Sequence, residues 1–193
     1  MANELSIIIV NWNGAAFLPA CLESIVENPP SCSFEIVVVD NASTDTSVEW
    51  MKSENAKNLL GDTNFRLIES DENLGFGRGN NLAITETDSE TVFLLNPDTL
   101  IKAKSVDILL KTLVGEEGVG AVGPKLRNMD GSLQPSVWSF PPTPLKYLFE
   151  GLKLQILLPK KFRGKWLRSS HWAHDERIAV NVLSGAAILA KKR

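Results

Sequence analysis

Cysteine, tyrosine and long apolar runs are what this 193-residue sequence has least of: two cysteines, one tyrosine and no run of membrane-spanning length. Cys21 and Cys32 form no C-x-x-C pair, which excludes a disulfide framework, a zinc ribbon and a dithiol redox motif and leaves two reduced thiols. No stretch approaches the roughly 18 apolar residues of a membrane helix. Glu4 precedes the short apolar run at residues 7–10, the wrong flank for a signal peptide. A cytoplasmic protein is therefore expected, whose membrane contact would be peripheral. Charge of one sign is lacking too. With 20 Lys and Arg against 23 Asp and Glu, the net charge of −3 speaks against a nucleic-acid partner.

What is present is ordinary globular composition, 44% hydrophobic and 22% charged, at a length that favours a single domain. Residues 7–10 read IIIV and residues 91–95 read TVFLL, runs without polar alternation; with FEIVVV at 34–39 and FRLIE at 65–69 they make four strands. Such strands are buried on both faces, as in a parallel sheet covered by helices. Helical spacing follows three of them, at residues 15–26, through Trp50 and Met51, and near 80–84; another helix is expected at 104–114 and further strands at 119–122 and 180–193. Alternation at this interval predicts a mainly parallel α/β sheet with right-handed crossovers.

Three of the four strands end on the same kind of group: Asn11 and Asn13, Asp40 and Asn41, Asn96 and Asp98. Carboxyl ends of parallel strands share one edge, where open sheets bind ligands. A carboxylate there suits a hard divalent cation bridging to phosphate, although Asn and Asp also serve plain turns and caps. The stretch ENLGFGRGNN after the third strand has glycines at 75, 77 and 79 and lacks the last glycine of a dinucleotide-binding G-x-G-x-x-G. It predicts close backbone approach to a ligand or to a neighbouring strand.

Taken together, SIIIVNWNG, FEIVVVDNASTD, NLGFGRGNN, FLLNPDT and VLSGAAILAKK resemble the family 2 glycosyltransferases, in particular their rhamnosyltransferase-like branch. The likeness covers roughly residues 5–126, as a nucleotide-sugar-binding half, and 180–193, as the start of an acceptor half. It implies a GT-A type, Rossmann-like nucleotide-diphospho-sugar transferase fold. It also implies a nucleotide-diphospho-sugar donor, with dTDP-rhamnose as a candidate, and a saccharide or lipid-linked acceptor in cell-surface polysaccharide synthesis. Position by position, Val10 and Asn11 would lie beside base and ribose, Asn13 and Asn41 would be among the substrate-binding residues, and Asp40 would accept from the base. Asn73, Gly75, Arg78 and Asn81 would line the nucleotide and sugar pocket. Asn96 to Asp98 occupies the place of an Asp-x-Asp element, so Asp98 would ligate Mg²⁺ or Mn²⁺. Ser184 and Gly185 would lie near donor sugar or acceptor.

Departures from the family pattern are Gly79, Asn80 and Asn81 where it more often ends Ala-Arg-Asn, and an amide at Asn96. The resemblance places the family's general base in an acidic motif expected beyond Arg193, so a truncated domain is expected. A non-catalytic nucleotide-sugar binding module and a sugar-phosphate nucleotidyltransferase are the alternatives; the latter lacks its G-x-G-T-R-type signature here.

Residues 131–178 have another texture, mixing prolines, aromatics and bases. From Lys146 to Arg177 eight bases face three acids. That suits a peripheral helix on an anionic bilayer, and equally a solvated insertion packing its aromatics on the domain. His171 and His174 form H-x-x-H without a further ligand, short of the three or four a zinc site needs.

Overall fold

The four apolar runs become four parallel strands, β1 (Leu5–Asn11), β2 (Phe34–Asp40), β3 (Asn64–Glu69) and β4 (Thr91–Leu95). In the computed structural model, which describes residues 3–134, 136–138, 152 and 176–192, they lie side by side in the order β3-β2-β1-β4. Leu5, Ile7, Ile8 and Ile9 of β1 and Ile36, Val37, Val38 and Val39 of β2 are wholly buried. Side chains on both faces of β1 and β2 are thus covered, each contributing about 1.5–3 kcal/mol relative to exposure; β3, at the edge of the sheet, departs from the expected burial and leaves Asn64, Arg66 and Glu69 exposed.

The covering helices follow from the apolar spacing. In α1 (Leu18–Glu27) Leu18, Cys21, Leu22 and Ile25 form one buried stripe. The segment after β2 divides into α2 (Ser47–Lys52) and α3 (Glu54–Leu60). Ser53 is extended between them, its Oγ donating to Trp50 O at 2.6 Å and capping Ala56 N–H. After β3 comes α4 (Gly75–Thr85), which begins inside the glycine-rich stretch instead of near residue 80. After β4 comes α5 (Ser105–Gly115), burying Val106, Leu109 and Leu113.

The chain forms two units. The first runs to Val122 and resumes at Gly185; the second is Gly123–Ser184. β5 (Ala121–Val122) ends the first stretch. In the second unit β6 (Leu126–Arg127) pairs antiparallel with β7 (Leu133–Gln134), and β8 (Val137–Trp138) with β9 (Val182–Leu183). The segment from Lys146 through His171 and His174 to Asp175, on which the membrane-helix and H-x-x-H readings fall, lies outside the described residues apart from Leu152.

β10 (Ala187–Lys191) then returns to the first unit. It inserts antiparallel between β4 and β5, giving the six-stranded order β3-β2-β1-β4-β10-β5. The ends of β2, β1 and β4 and the start of β10 are therefore consecutive along one edge. No helix among the described residues is long and apolar enough to cross a membrane.

Candidate functional site

At this edge Asn11 and Asp40 are register partners. Asn11 is wholly buried and Asp40 is 3% exposed. Asn11 Nδ2 donates to Asp40 Oδ1 at 2.9 Å, to Ser47 Oγ at 2.8 Å and to Ser43 Oγ at 3.1 Å, three acceptors for two protons. Asp40 Oδ2 accepts from Ser43 N–H at 3.0 Å. The amide orientation is forced, because a carboxylate can only accept. Asn11 Oδ1 is consequently left without a partner among the described residues. It faces Gly14, where an added Cβ would stand 2.3 Å from it. Only a glycine backbone fits there.

Asn13 carries the loop onto its neighbour. In a left-handed conformation, φ 52°, it accepts from Thr44 N–H at 2.8 Å while its own N–H donates to Ser43 Oγ at 2.9 Å. Asp45 closes the junction, accepting from Ala15 N–H at 2.8 Å and from Ser47 N–H at 3.0 Å. Partial burial alone would raise the Asp45 carboxyl, but hydrogen bonds from the Ser47 hydroxyl and the Ala15 and Ser47 N–H groups outweigh it and hold the pKa below the usual value. Sequence reasoning missed Asp45 and Gly14. The signals were a carboxylate two residues before Ser47 and a glycine three residues after Asn11.

The glycine-rich stretch is held from below. Asn41, 2% exposed, donates to Asn73 Oδ1 at 2.9 Å and accepts from Leu74 N–H at 2.7 Å, and Asn73 Oδ1 takes Gly75 N–H at 2.8 Å. This chain pins the start of α4 to the end of β2. Further along α4, a Cβ on Gly79 would stand 3.0 Å from Val10 Cγ1, so the glycine lets the helix close on β1. Val10 is the floor of that contact. Arg78 is exposed and pairs with Glu72 at 3.2 Å, and Asn81 is exposed while its neighbour Asn80 is buried, donating to Phe76 O at 2.8 Å. Phe76 is 49% exposed, and its ring stands 3.3 Å from where a Cβ on Gly185 would be.

The end of β4 is different. Asn96 N–H donates to Ala186 O at 2.9 Å, fixing the turn to the start of β10, and Thr99 N–H closes it on Asn96 O at 3.1 Å. Asp98 is exposed and has no hydrogen-bond or ion-pair partner among the described residues. Cys21 lies beneath, its Sγ 3.7 Å from Asn96 O. Burial first, and then the Asp98 charge, push this thiol up to about 12, so it stays protonated. Ser184 belongs to the second unit, where its N–H donates to Ser136 O at 2.8 Å.

Among the described residues no three His, Cys, Asp or Glu side chains come together as a metal cage. The chemistry of the donor set nonetheless fits a divalent cation of the substrate-bridged kind. A single exposed carboxylate at a sheet edge leaves coordination places for phosphate oxygens and water, as Mg²⁺ prefers.

A mostly parallel sheet with helices on its faces and Asn and Asp side chains at its carboxyl edge is the architecture of the GT-A transferases. Residues 6–164 match the family model described as glycosyl transferase family 2, and the chain belongs to that family. It is 27% identical over 209 aligned positions to the N-acetylglucosaminyl-diphospho-decaprenol L-rhamnosyltransferase of Mycobacterium tuberculosis, spanning all of this chain and 62% of that protein. It is 30% identical to the low-salt glycan biosynthesis hexosyltransferase Agl10 of Haloferax volcanii, over 83% of this chain and 48% of that one. Among solved structures, the mannosyltransferase PcManGT from Pyrobaculum calidifontis, in complex with GDP-Man and Mn²⁺, superposes with a TM-score of 0.59 at 26% identity, over 66% of this chain and 36% of that chain. S. aureus TarS 1-349 with UDP-GlcNAc superposes at 0.57 and 22% identity, over 73% and 39%, a likeness of fold. The chain thus spans less than two thirds of each of these proteins.

Proposed function

We propose that the chain is the donor-binding part of a metal-dependent, inverting glycosyltransferase. It would take a nucleotide-diphospho-sugar, with dTDP-rhamnose a candidate whose sugar is the one in the mycobacterial relative's name, to a saccharide or lipid-linked acceptor in cell-surface polysaccharide synthesis. The observation that carries this reading is the division of the sheet edge into a buried polar framework at β1 and β2 and an exposed, unpartnered carboxylate at β4. Asn11, Asn13, Asp40 and Asn41 shape the base and ribose side, and Asp98 faces the diphosphate. The PcManGT complex with GDP-Man and Mn²⁺ supports a metal, of which Mg²⁺ and Mn²⁺ are both suited to carboxylate and phosphate oxygens.

In inverting transfer an acceptor hydroxyl attacks the anomeric carbon from the face opposite the diphosphate. The new C–O bond forms as the bond to the diphosphate oxygen breaks, and a base takes the hydroxyl proton. A cation held at Asp98 would neutralise charge on the departing diphosphate. The chain's own contribution is preorganisation: the loops after β1, β2 and β3 are tied to one another before any ligand arrives. The protein would work in the cytoplasm, and the basic, aromatic segment before Arg177 is proposed to dock it peripherally at the membrane's inner face.

The test is a thermal-shift panel with UDP, dTDP, GDP and NAD, each with and without Mn²⁺. A diphosphate at about a hundred times its dissociation constant adds about 2.7 kcal/mol, a visible rise in midpoint. A rise that needs Mn²⁺ and is lost in Asp98→Ala supports the reading. A rise with NAD alone, or one indifferent to Asp98→Ala, overturns it.

A further inference from the structure

Phe76 is an unusual residue to leave in water at this edge. It is 49% exposed on the first turn of α4, yet it is rigidly mounted. Asn41 and Asn73 pin the backbone just before it at Leu74 and Gly75, and Asn80 Nδ2 holds its own carbonyl at 2.8 Å. One edge of the ring rests against Gly185, where a Cβ would stand 3.3 Å from Cζ and 3.4 Å from Cε1. Gly185 therefore gives the ring a seat that a larger residue would take away. An exposed aromatic ring that is fixed in place is a prepared contact surface, since no side-chain or loop ordering has to be added on binding.

Its position says what it would contact. Ala186, next to the Gly185 seat, accepts the Asn96 N–H at 2.9 Å, and Asn96 opens the turn that carries Asp98. Along the edge, the ends of β2 and β1 come first, then the end of β4, then the start of β10. A nucleotide-diphospho-sugar has the same linear order, base and ribose, then diphosphate, then sugar. With its diphosphate at Asp98, the next group along is the hexose, and the Phe76 ring, against Gly185 just before β10, belongs to that side of the edge. Hexoses present a face of C–H bonds, which an aromatic ring face covers well.

We propose that Phe76, seated on Gly185, is a specificity-determining residue that stacks on the sugar ring of the donor. This deepens the donor-binding reading and rests on it. Affinities are to be measured by calorimetry with Mn²⁺ for three matched pairs, UDP and UDP-GlcNAc, GDP and GDP-mannose, dTDP and dTDP-rhamnose, on wild type and on Phe76→Ala, Phe76→Leu and Phe76→Tyr. In wild type, the sugar of the preferred pair should raise affinity over the bare diphosphate by about fivefold to tenfold, the size of an aromatic contact. Phe76→Ala and Phe76→Leu should lose that increment with the bare diphosphate changed by less than about twofold, and Phe76→Tyr should keep it.

Retention of the increment in Phe76→Leu means apolar bulk alone suffices and overturns the stacking. Equal weakening of diphosphate and nucleotide-sugar in Phe76→Ala means the ring only supports the loop, which also overturns it. Wild type that binds a diphosphate but gains nothing from any of the three sugars overturns the inference and leaves the nucleotide site standing. Wild type that binds none of the six ligands brings down the donor reading itself.

Discussion

Two strand ends in this sheet look alike in sequence and differ in physics. After β1 and β2, Asn11 and Asp40 are 0% and 3% exposed, and Asp40 is engaged on both oxygens by Asn11 and Ser43. After β4, Asp98 is exposed and unpartnered among the described residues. The first carboxylate is held by the fold; the second is left available to a ligand. The difference arises from the residues that succeed each strand. VVVDNASTDTS supplies Ser43, Asp45 and Ser47 within seven residues of Asp40, hydroxyls and a carboxylate that close a network. LLNPDT supplies a proline, with no N–H to give, and a backbone turn that closes through Thr99 N–H without using the Asp98 side chain.

The contrast breaks most sharply at Asp40. In Asp40→Ala the Asn11 amide and Ser43 N–H lose a buried acceptor, a cost of about 2–4 kcal/mol in urea unfolding. Should stability hold, the network is solvated and the comparison fails. Gly14→Ala comes next. Its Cβ would lie 2.3 Å from Asn11 Oδ1, so the loop or the amide must move at about 1–3 kcal/mol. If that variant also loses nucleotide-dependent thermal shift, the framework at β1 is what shapes the base side. Unchanged stability would show the loop to be loose.

Much of this was legible in the residues. Apolar runs marked β1, β2 and β4 within a residue or two, because a strand buried on both faces admits no polar alternation, while β3, NFRLIE, was legible as a strand although the structure leaves Asn64, Arg66 and Glu69 exposed. The polar strand ends were legible for the complementary reason, since parallel strands bring like ends together. The start of α4 was not. Gly75, Gly77 and Gly79 have low helix propensity, and the helix forms there because Asn41, thirty-two positions before Asn73, supplies the partners that hold its first turn. The placement of β10 between β4 and β5 was also hidden, as nothing local to residues 187–191 specifies an antiparallel neighbour nearly a hundred residues away. The roles of Asn11 and Asp40 toward each other needed the register. Sequence reasoning pointed both outward to a base, and the structure shows their side chains first bonded to one another.

Asp98→Ala sharpens the other half of the comparison. An exposed, unpartnered carboxylate can be removed within about 0.5 kcal/mol of wild-type stability, even as Mn²⁺-dependent nucleotide binding is lost. A large loss of stability would mean that Asp98 belongs to the fold after all, like Asp40.

The smallest expected effect lies between the two cases, at Asp45. Its carboxylate ties Ala15 to Ser47 but remains partly solvated, so Asp45→Asn should cost only a few tenths of a kcal/mol after solvent screening. The sign of its pH dependence is fixed by the lowered pKa. A carboxyl held below its ordinary value of 3.8 stabilises the folded state fully above that value, and the contribution is lost as pH falls through the depressed folded value. The stability gap between wild type and Asp45→Asn should accordingly be present at pH 6 and shrink only as pH falls below 3.8 toward the depressed folded value. A gap that persists in acid would show that Asp45 acts by shape rather than charge, placing it with the neutral Asn13 and Gly14 as a packing element of the loop.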